Sequence, residues 1–355
     1  MKNFKLNDRY IGEKGKVYFI ADIAANHDGS LSRAKKLIKL CYQSGANAAK
    51  FQHFNADTIV SDYGFSKLGK FSHQKKWKKS VYNVYKNASI NLEWTKHLFD
   101  ECKKYKIDFI STPYDLGYVD YLYKYIPAYK IGSGDITWHE LITKIAKKNK
   151  PVFIAVGASK IEEVKKAVSL IKKYNNKIVL MQCNTNYTAS NNNYKFLNLQ
   201  VLRQFKKIYK DNIITGLSDH TFGHNSVLGA VALGAKVIEK HFTDSNFRNG
   251  PDHKFSMNPV SWKKMVDEVR KLESSLGDGL KKIELNEFES AIIQRRAIRA
   301  KFDIFKGQSI NHSNIIPLRP CPKNGLEPYK KYLVLKRKAK KFIRKGDVIN
   351  CVNTK

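Results

Sequence analysis

Residues 17–52 read VYFIADIAANHDGSLSRAKKLIKLCYQSGANAAKFQ. The run opens with an apolar stretch, Val17–Ile23, which suits a strand covered on both faces. Asn26-His27-Asp28-Gly29 has turn chemistry. Leu31–Tyr42 then puts Leu37, Ile38 and Cys41 on one side and lysines on the other, an amphipathic helix. Ala46–Gln52 is a second apolar run. Strand, helix, strand is the unit of a parallel sheet, and the chain repeats it. Further strand candidates are Ile107–Ser111, Ala128–Gly132, Val152–Val156, Ile178–Gln182, Ile213–Leu217 and Lys236–Lys240. Ile161–Tyr174 repeats the helical pattern through Val164, Val168 and Ile171. Eight strands, each followed by a helix, is the count of an α/β TIM (β/α)8 barrel. A doubly wound open sheet is the alternative, but no GxGxxG follows the first strand.

One connection, His53 to Ile90, is long, aromatic and without clear period. A loop of that length in a compact domain is usually functional, often a lid. After a helix over Pro259–Leu276, Gly277-Asp278-Gly279 marks a boundary. Glu284–Arg296 reads as a charged linking segment. Ile298, Ala300, Phe302 and Ile304 then alternate with polar residues, as in a half-buried strand. Lys306-Gly307-Gln308-Ser309-Ile310 and Lys345-Gly346-Asp347-Val348-Ile349 echo one another. The expected organisation is a barrel over 1–278, a linker over 279–294 and a small β domain over 295–355.

Composition narrows the class. The chain has 355 residues and is 42% hydrophobic, enough for a sizeable core. No run approaches the ~20 apolar residues of a membrane helix. The first residues, Met1 to Asn7, hold no apolar signal segment. Five scattered cysteines (Cys41, Cys102, Cys183, Cys321, Cys351) suit a reducing compartment. A cytoplasmic location is the expectation. Lys+Arg 65 against Asp+Glu 31 gives a formal charge of +34. The excess is mostly lysine, spread along the chain with much Asn, Ile, Tyr and Phe, as a low-GC genome would produce. Specific DNA readers concentrate arginine on one element, so no specific nucleic-acid partner is expected. The positive field would still draw in an anionic small substrate.

A barrel carries its active site at the C-terminal ends of its strands. The first strand ends at Asp22. The second carries Lys50 and Gln52; the third leads to Ser111-Thr112-Pro113. The fourth carries Lys130 and leads to Gly132-Ser133-Gly134-Asp135. The sixth ends at Gln182-Cys183-Asn184-Thr185. The seventh ends at Ser218-Asp219-His220 and the eighth at Glu239-Lys240-His241. Singly, each has an ordinary reading: a turn, a snorkelling lysine, a hydrogen-bonded histidine. Jointly, lysines, hydroxyls and glycines on one rim suit a phosphate or phosphate-plus-carboxylate ligand. Two histidines ending adjacent strands suit a divalent metal with open positions.

These stretches resemble the sialic acid synthase family, which includes legionaminate and pseudaminate synthases. The resemblance runs through residues 19–29, Ala49-Lys-Phe-Gln52, Ser111-Thr-Pro113, Lys130-Ile-Gly-Ser-Gly134 and Gly216-Leu-Ser-Asp-His-Thr221. It continues through Glu239-Lys-His-Phe-Thr243, Gly250-Pro-Asp-His253, Arg295-Arg-Ala-Ile298 and Leu318-Arg-Pro320, and so covers nearly the whole chain. It implies a TIM barrel followed by a small β-rich antifreeze-like (SAF) domain. It implies metal-assisted condensation of phosphoenolpyruvate with an N-acylated hexosamine, either N-acetylmannosamine or a 2,4-diacetamido-6-deoxyhexose. The products would be a nine-carbon 2-keto sugar acid and phosphate.

Residue by residue, His220 and His241 match ligands of Mn²⁺ or Mg²⁺. Lys50, Thr112, Lys130, Ser133 and Ser218 match phosphoenolpyruvate contacts, while Tyr187 and Asp252 match sugar contacts. Gln52, Asp135 and Thr185 fall in the same substrate-binding blocks. Asp22 is the carboxylate near the metal that orders or deprotonates water. Arg319 matches an arginine that the C-terminal domain contributes across a domain-swapped homodimer. Asp22 and Asp135 stand where glutamate is usual, Thr185 where asparagine or serine is usual, and Thr188 where proline is. These departures bear on the sugar more than on the reaction. Two alternatives remain. One is a 3-deoxy-2-keto acid phosphate synthase, which lacks a C-terminal domain of this kind. The other is a non-catalytic barrel that binds carbohydrate or nucleic acid.

Overall fold

The computed structural model describes residues 3–71, 74, 75 and 77–355. The chain divides into two compact units, Met1–Gly277 and Asp278–Lys355.

The first unit begins with an antiparallel hairpin of β1 (Asn3–Leu6) and β2 (Arg9–Gly12), which the sequence pattern did not announce. Eight parallel strands follow: β3 (Tyr18–Asp22), β4 (Ala48–His53), β5 (Asp108–Pro113), β6 (Tyr129–Ile131), β7 (Val152–Ala155), β8 (Ile178–Cys183), β9 (Ile214–Asp219) and β10 (Val237–His241). They pair in chain order, and β10 closes on β3 to form a TIM barrel. Successive side chains of a strand face opposite ways. On β10, Val237, Glu239 and His241 face the axis, and on β4 Ala48, Lys50 and Gln52 do. The lower interior is filled by Tyr18, Ile20, Ala48, Ile110, Phe153 and Met181. Phe4, Leu6 and Ile11 of the hairpin belong to the same cluster and plug the N-terminal end. Outward residues such as Phe19, Phe51, Ile154 and Leu180 pack under the helices. Inward positions therefore run from apolar at the bottom to polar at the top. That gradient is why the titratable groups gather at the C-terminal rim.

Among its described residues the long connection after β4 holds the short α-helices Ala56–Ile59, Asp62–Leu68 and Val81–Ala88. Each starts from an Asn or Ser whose side chain caps a backbone N–H. Helices this short give too few turns for a period to show in sequence. Residues 72, 73 and 76 of this connection lie outside the described residues.

The second unit has its own core of Ile298, Ala300, Ile304, Ile310, Val334, Ala339, Ile343 and Ile349. β11 (Ala297–Ala300) pairs antiparallel with β12 (Ile315–Leu318). The expected alternation fails at Phe302, which is 55% exposed because the strand ends at Ala300. Phe288–Ile293, inside the expected linker, is a short helix of this unit. The two Lys-Gly echoes place Gly307 and Gly346 at φ of 88° and 90°, a region that favours glycine. Among the described residues no helix is long and apolar enough to cross a membrane.

Candidate active site

Lys50 is the centre of the deep site. Its Nζ donates to Asp22 Oδ2 at 2.5 Å and lies 3.8 Å from Glu239 Oε1. Lysine and aspartate side chains here are 3% and 2% exposed. Burial alone would lower the Lys50 pKa, but the Asp22 and Glu239 carboxylates outweigh it and raise it. The ammonium is thus held charged despite its burial. Gln52 Nε2 also donates to Asp22 Oδ2, at 3.1 Å. Lys130 reaches the same group from the far side, its Nζ 3.4 Å from Glu239 Oε1 and 3.1 Å from the Ile131 carbonyl. Ser218 Oγ donates to Glu239 Oε1 at 3.2 Å, and Glu239 Oε2 has no hydrogen-bond partner.

Hydroxyls line the adjoining wall. Ser133 Oγ accepts from the Gly157 N–H at 2.9 Å. A Cβ at Gly157 would come within 2.4 Å of Thr185 Oγ1 and 3.1 Å of Cys183 Sγ, so only glycine leaves this corner open. The hydroxyls of Thr185 and of Thr112, opposite Gln52 on β5, are buried without partners. Buried polar atoms left unpaired are costly, and unpaired donors beside two lysines are what an oxyanion would satisfy. Asp135 Oδ2 is also unpartnered, and burial pushes that carboxyl up to about 6 against the pull of Lys130.

His220 and His241 stand above this pocket with ring centroids 5.4 Å apart. His220 Nδ1 is 2.9 Å from the Asn184 carbonyl. That bond makes Nδ1 the donor and leaves Nε2 with its lone pair. His241 Nδ1 has no hydrogen-bond partner; its Nε2 is 3.6 Å from Asp22 Oδ2. Burial lowers the pKa of both rings, for His241 with help from His220 and Lys50, so both are neutral at pH 7. Tyr187 packs on His220 at 4.4 Å and Phe255 on His241 at 4.9 Å. Among the described residues no three His, Cys, Asp or Glu side chains form a ligand cluster. Two neutral imidazoles with free lone pairs nevertheless fit a cation whose remaining positions stay open to water and substrate. Asp252 accepts from the Ala25 N–H at 3.3 Å and lies 3.8 Å from His241 Nδ1. Burial, with Asp22 adding to it, pushes its carboxyl up to about 6.

Over His241, Gln52 and Asp252 opens a cavity of about 170 Å³. Its outer wall comes from the long connection: Phe54, Ile59, Trp77, Val84 and Tyr85. Thirteen of the expected site residues belong to the first unit and fall within this rim and its wall. Arg319 lies in the second unit, exposed, just past β12. Glu239 was missed as a site residue, although its place two before His241 puts both on one face of β10. The residues of the wall were not singled out because Ile59, Val84 and Tyr85 lie on helices too short to show a period and Phe54 and Trp77 on irregular chain.

The fold is a TIM barrel, and its C-terminal rim carries the candidate active site. A family model described as the NeuB family matches residues 37–281. The N,N'-diacetyllegionaminic acid synthase of Campylobacter jejuni is 36% identical over 341 residues, spanning 94% of this chain and 99% of that protein. The pseudaminic acid synthase of the same organism is 34% identical over 339 residues, with 94% and 95% covered. The solved N-acetylneuraminic acid synthetase of Leptospira borgpetersenii superposes with a TM-score of 0.71 at 29% identity, covering 81% of this chain and 94% of that one. The chain belongs to the NeuB family, the family of the sialic acid synthases.

Proposed function

We propose that the protein condenses phosphoenolpyruvate with the open-chain form of an N-acylated hexosamine, releasing phosphate and a nine-carbon 2-keto sugar acid. The observation that carries this reading is the juxtaposition of a buried two-lysine anion pocket, lined by unpartnered hydroxyls, with a pair of neutral histidines. Lys50 and Lys130, helped by Thr112, Ser133, Thr185 and Ser218, hold the phosphate and carboxylate. Fixed cations in a water-poor pocket stabilise the charge that moves onto the departing phosphate. Asp22 and Glu239 lie against the two lysines and hold them charged in a buried pocket, which supports a site matched to an anion.

The acceptor occupies the aromatic cavity with its aldehyde toward the histidines and its chain beside Tyr187, Gln52, Asp135 and Asp252. A divalent cation such as Mn²⁺ or Mg²⁺, held by His220 and His241, would polarise the aldehyde oxygen as a Lewis acid. Carbon 3 of phosphoenolpyruvate bonds to the aldehyde carbon, and the aldehyde oxygen takes up a proton from water. A water molecule adds at the cationic carbon 2 and gives one proton to Asp22; the hydroxyl left at carbon 2 then becomes the ketone as the carbon 2–oxygen bond to phosphate breaks, its proton passing to the departing phosphate. Asp22 is buried beside both Lys50 and His241, which supports its role as that base.

The apolar outer wall favours the 2,4-diacetamido-6-deoxyhexose over N-acetylmannosamine. A methyl and a second acetamido group lose less on a wall of Phe54, Ile59, Trp77 and Val84 than a hydroxylated tail does. We further propose a homodimer in which Arg319 completes the partner's sugar site, as the resemblance implies. An acceptor panel with phosphoenolpyruvate and Mn²⁺, scored by phosphate release and product mass, tests the reading. Phosphate release with no nine-carbon product would overturn it.

A further inference from the structure

Next to the two histidines lies a charged pair that faces away from the barrel axis. Asp219 and Lys240 are register partners on β9 and β10, next in sequence to His220 and His241. His241 and Glu239 face the barrel axis, so Lys240 points outward under the helices. Its side chain is 1% exposed and that of Asp219 fully buried. Lys240 Nζ donates to Asp219 Oδ2 at 2.5 Å and to the Thr221 carbonyl at 2.7 Å. Asp219 accepts from the Thr221 N–H at 2.9 Å, from Thr221 Oγ1 at 3.0 Å and from Ser226 Oγ at 2.6 Å. Thr221 is therefore tied through its N–H, carbonyl and hydroxyl. His220 sits between Asp219 and Thr221, and its backbone has little freedom to turn. Burial raises the Asp219 pKa, but Lys240 and the other donors outweigh it and hold the group ionised.

A buried ion pair of this kind is a weak source of net stability, because desolvation offsets most of its attraction. Its effect on geometry is specific. We infer that Asp219 and Lys240 are positioning residues that fix His220 relative to His241 and so preset the two imidazoles for one divalent cation. The inference rests on the metal reading given under Proposed function. The ion pair spans two strands and, through Thr221, brackets His220 on the residue after the end of β9, whereas the Asn184 carbonyl orients only the His220 ring. Groups that orient metal-binding histidines without touching the metal typically tune affinity about 10- to 100-fold.

The probe is Mn²⁺ alone, titrated into the full chain with free Mn²⁺ followed by electron paramagnetic resonance. The test variant is Asp219→Asn with Lys240→Met, which leaves no uncompensated buried charge. Asp108→Asn is the control: it weakens another buried carboxylate, hydrogen-bonded to Tyr18 and Asn7 at the opposite end of the barrel. The Mn²⁺ Kd of the double variant is expected to rise about 10- to 100-fold. Its kcat at saturating Mn²⁺ should recover to the wild-type value, and the control should keep wild-type Mn²⁺ affinity. If the double variant does not fold, Asp219→Asn alone, which keeps the shape and removes the charge that holds Lys240, is read in the same way. Wild-type Mn²⁺ affinity in a folded test variant overturns the inference and leaves the metal reading standing. A wild-type chain that binds no Mn²⁺ overturns both.

Discussion

Replacing Lys50 by methionine separates two jobs that one ammonium does. The side chain is buried between Asp22 at 2.5 Å and Glu239 at 3.8 Å. Methionine matches the stem and removes the charge, leaving Glu239 with Lys130 and Asp22 with only the Gln52 amide and the neutral His241 ring. Breaking a buried pair by removing one partner costs about 3–5 kcal/mol. Lys130, 3.4 Å from Glu239, places the expected loss near the lower end, about 3 kcal/mol. For a unit of this size that is a fall in Tm of roughly 6–12 °C. The second loss is substrate affinity. A hydrogen bond to a charged group contributes about 1.5–3 kcal/mol, so the KM for phosphoenolpyruvate should rise about 10- to 150-fold. The KM for the acceptor should change little, because the aromatic cavity is lined by other residues. Steady-state phosphate release with each substrate varied in turn reads both constants, and a thermal melt reads stability. A lower Tm with an unchanged phosphoenolpyruvate KM would refute the reasoning, since Lys50 would then serve only as the counter-charge of Asp22.

Asp252 gives a pH signature. Its folded pKa is raised from 3.8 to about 6, so its contribution to stability is full below 3.8 and lost as pH rises through about 6. Relative to Asp252→Asn, the wild type should lose at most about 3 kcal/mol between pH 4 and pH 7 by denaturant unfolding; a parallel pair of curves contradicts the raised pKa. His220→Ala or His241→Ala should lower bound Mn²⁺ and rate together, and a chelator should abolish activity; full activity of the metal-free enzyme would remove the metal from the account. The 6-deoxy acceptor should exceed N-acetylmannosamine in kcat/KM by about 10- to 200-fold, and Trp77→Ala should narrow that ratio. Mixing Arg319→Ala with Lys130→Met subunits should restore part of the activity if each site takes its arginine from the partner; no recovery on mixing argues for one chain supplying both.

The barrel was legible because its strands are buried on both faces, and runs such as Ile178–Gln182 read as continuous apolar stretches. The rim was legible for a related reason: Lys50 and Lys130 are the sort of residue an apolar strand does not carry without a ligand or a partner. What stayed hidden depended on contacts distant in sequence. Phe4, Leu6 and Ile11 form an ordinary short alternation until the open end of the barrel needs a plug. Tyr85 sits on a helix of about two turns and Trp77 on irregular chain before it, and the burial of both is decided by the cavity beneath them. Phe302 continued the pattern of β11 on paper, but the strand ends two residues earlier. Glu239 stood in plain view at the rim, and only the positions of Lys50, Lys130 and Ser218 around it give it a part in the site.

The central claim is that one rim brings phosphoenolpyruvate and an open-chain N-acylhexosamine together and joins them. The direct measurement uses phosphoenolpyruvate labelled with ¹⁸O in the oxygen bridging carbon 2 and phosphorus, with Mn²⁺ and the 2,4-diacetamido-6-deoxyhexose. The account predicts one phosphate per nine-carbon 2-keto acid, with all of the label in the phosphate, because water enters at carbon 2 and the bridging oxygen leaves. Label retained in the sugar acid, or phosphate released without a new carbon–carbon bond, would contradict it.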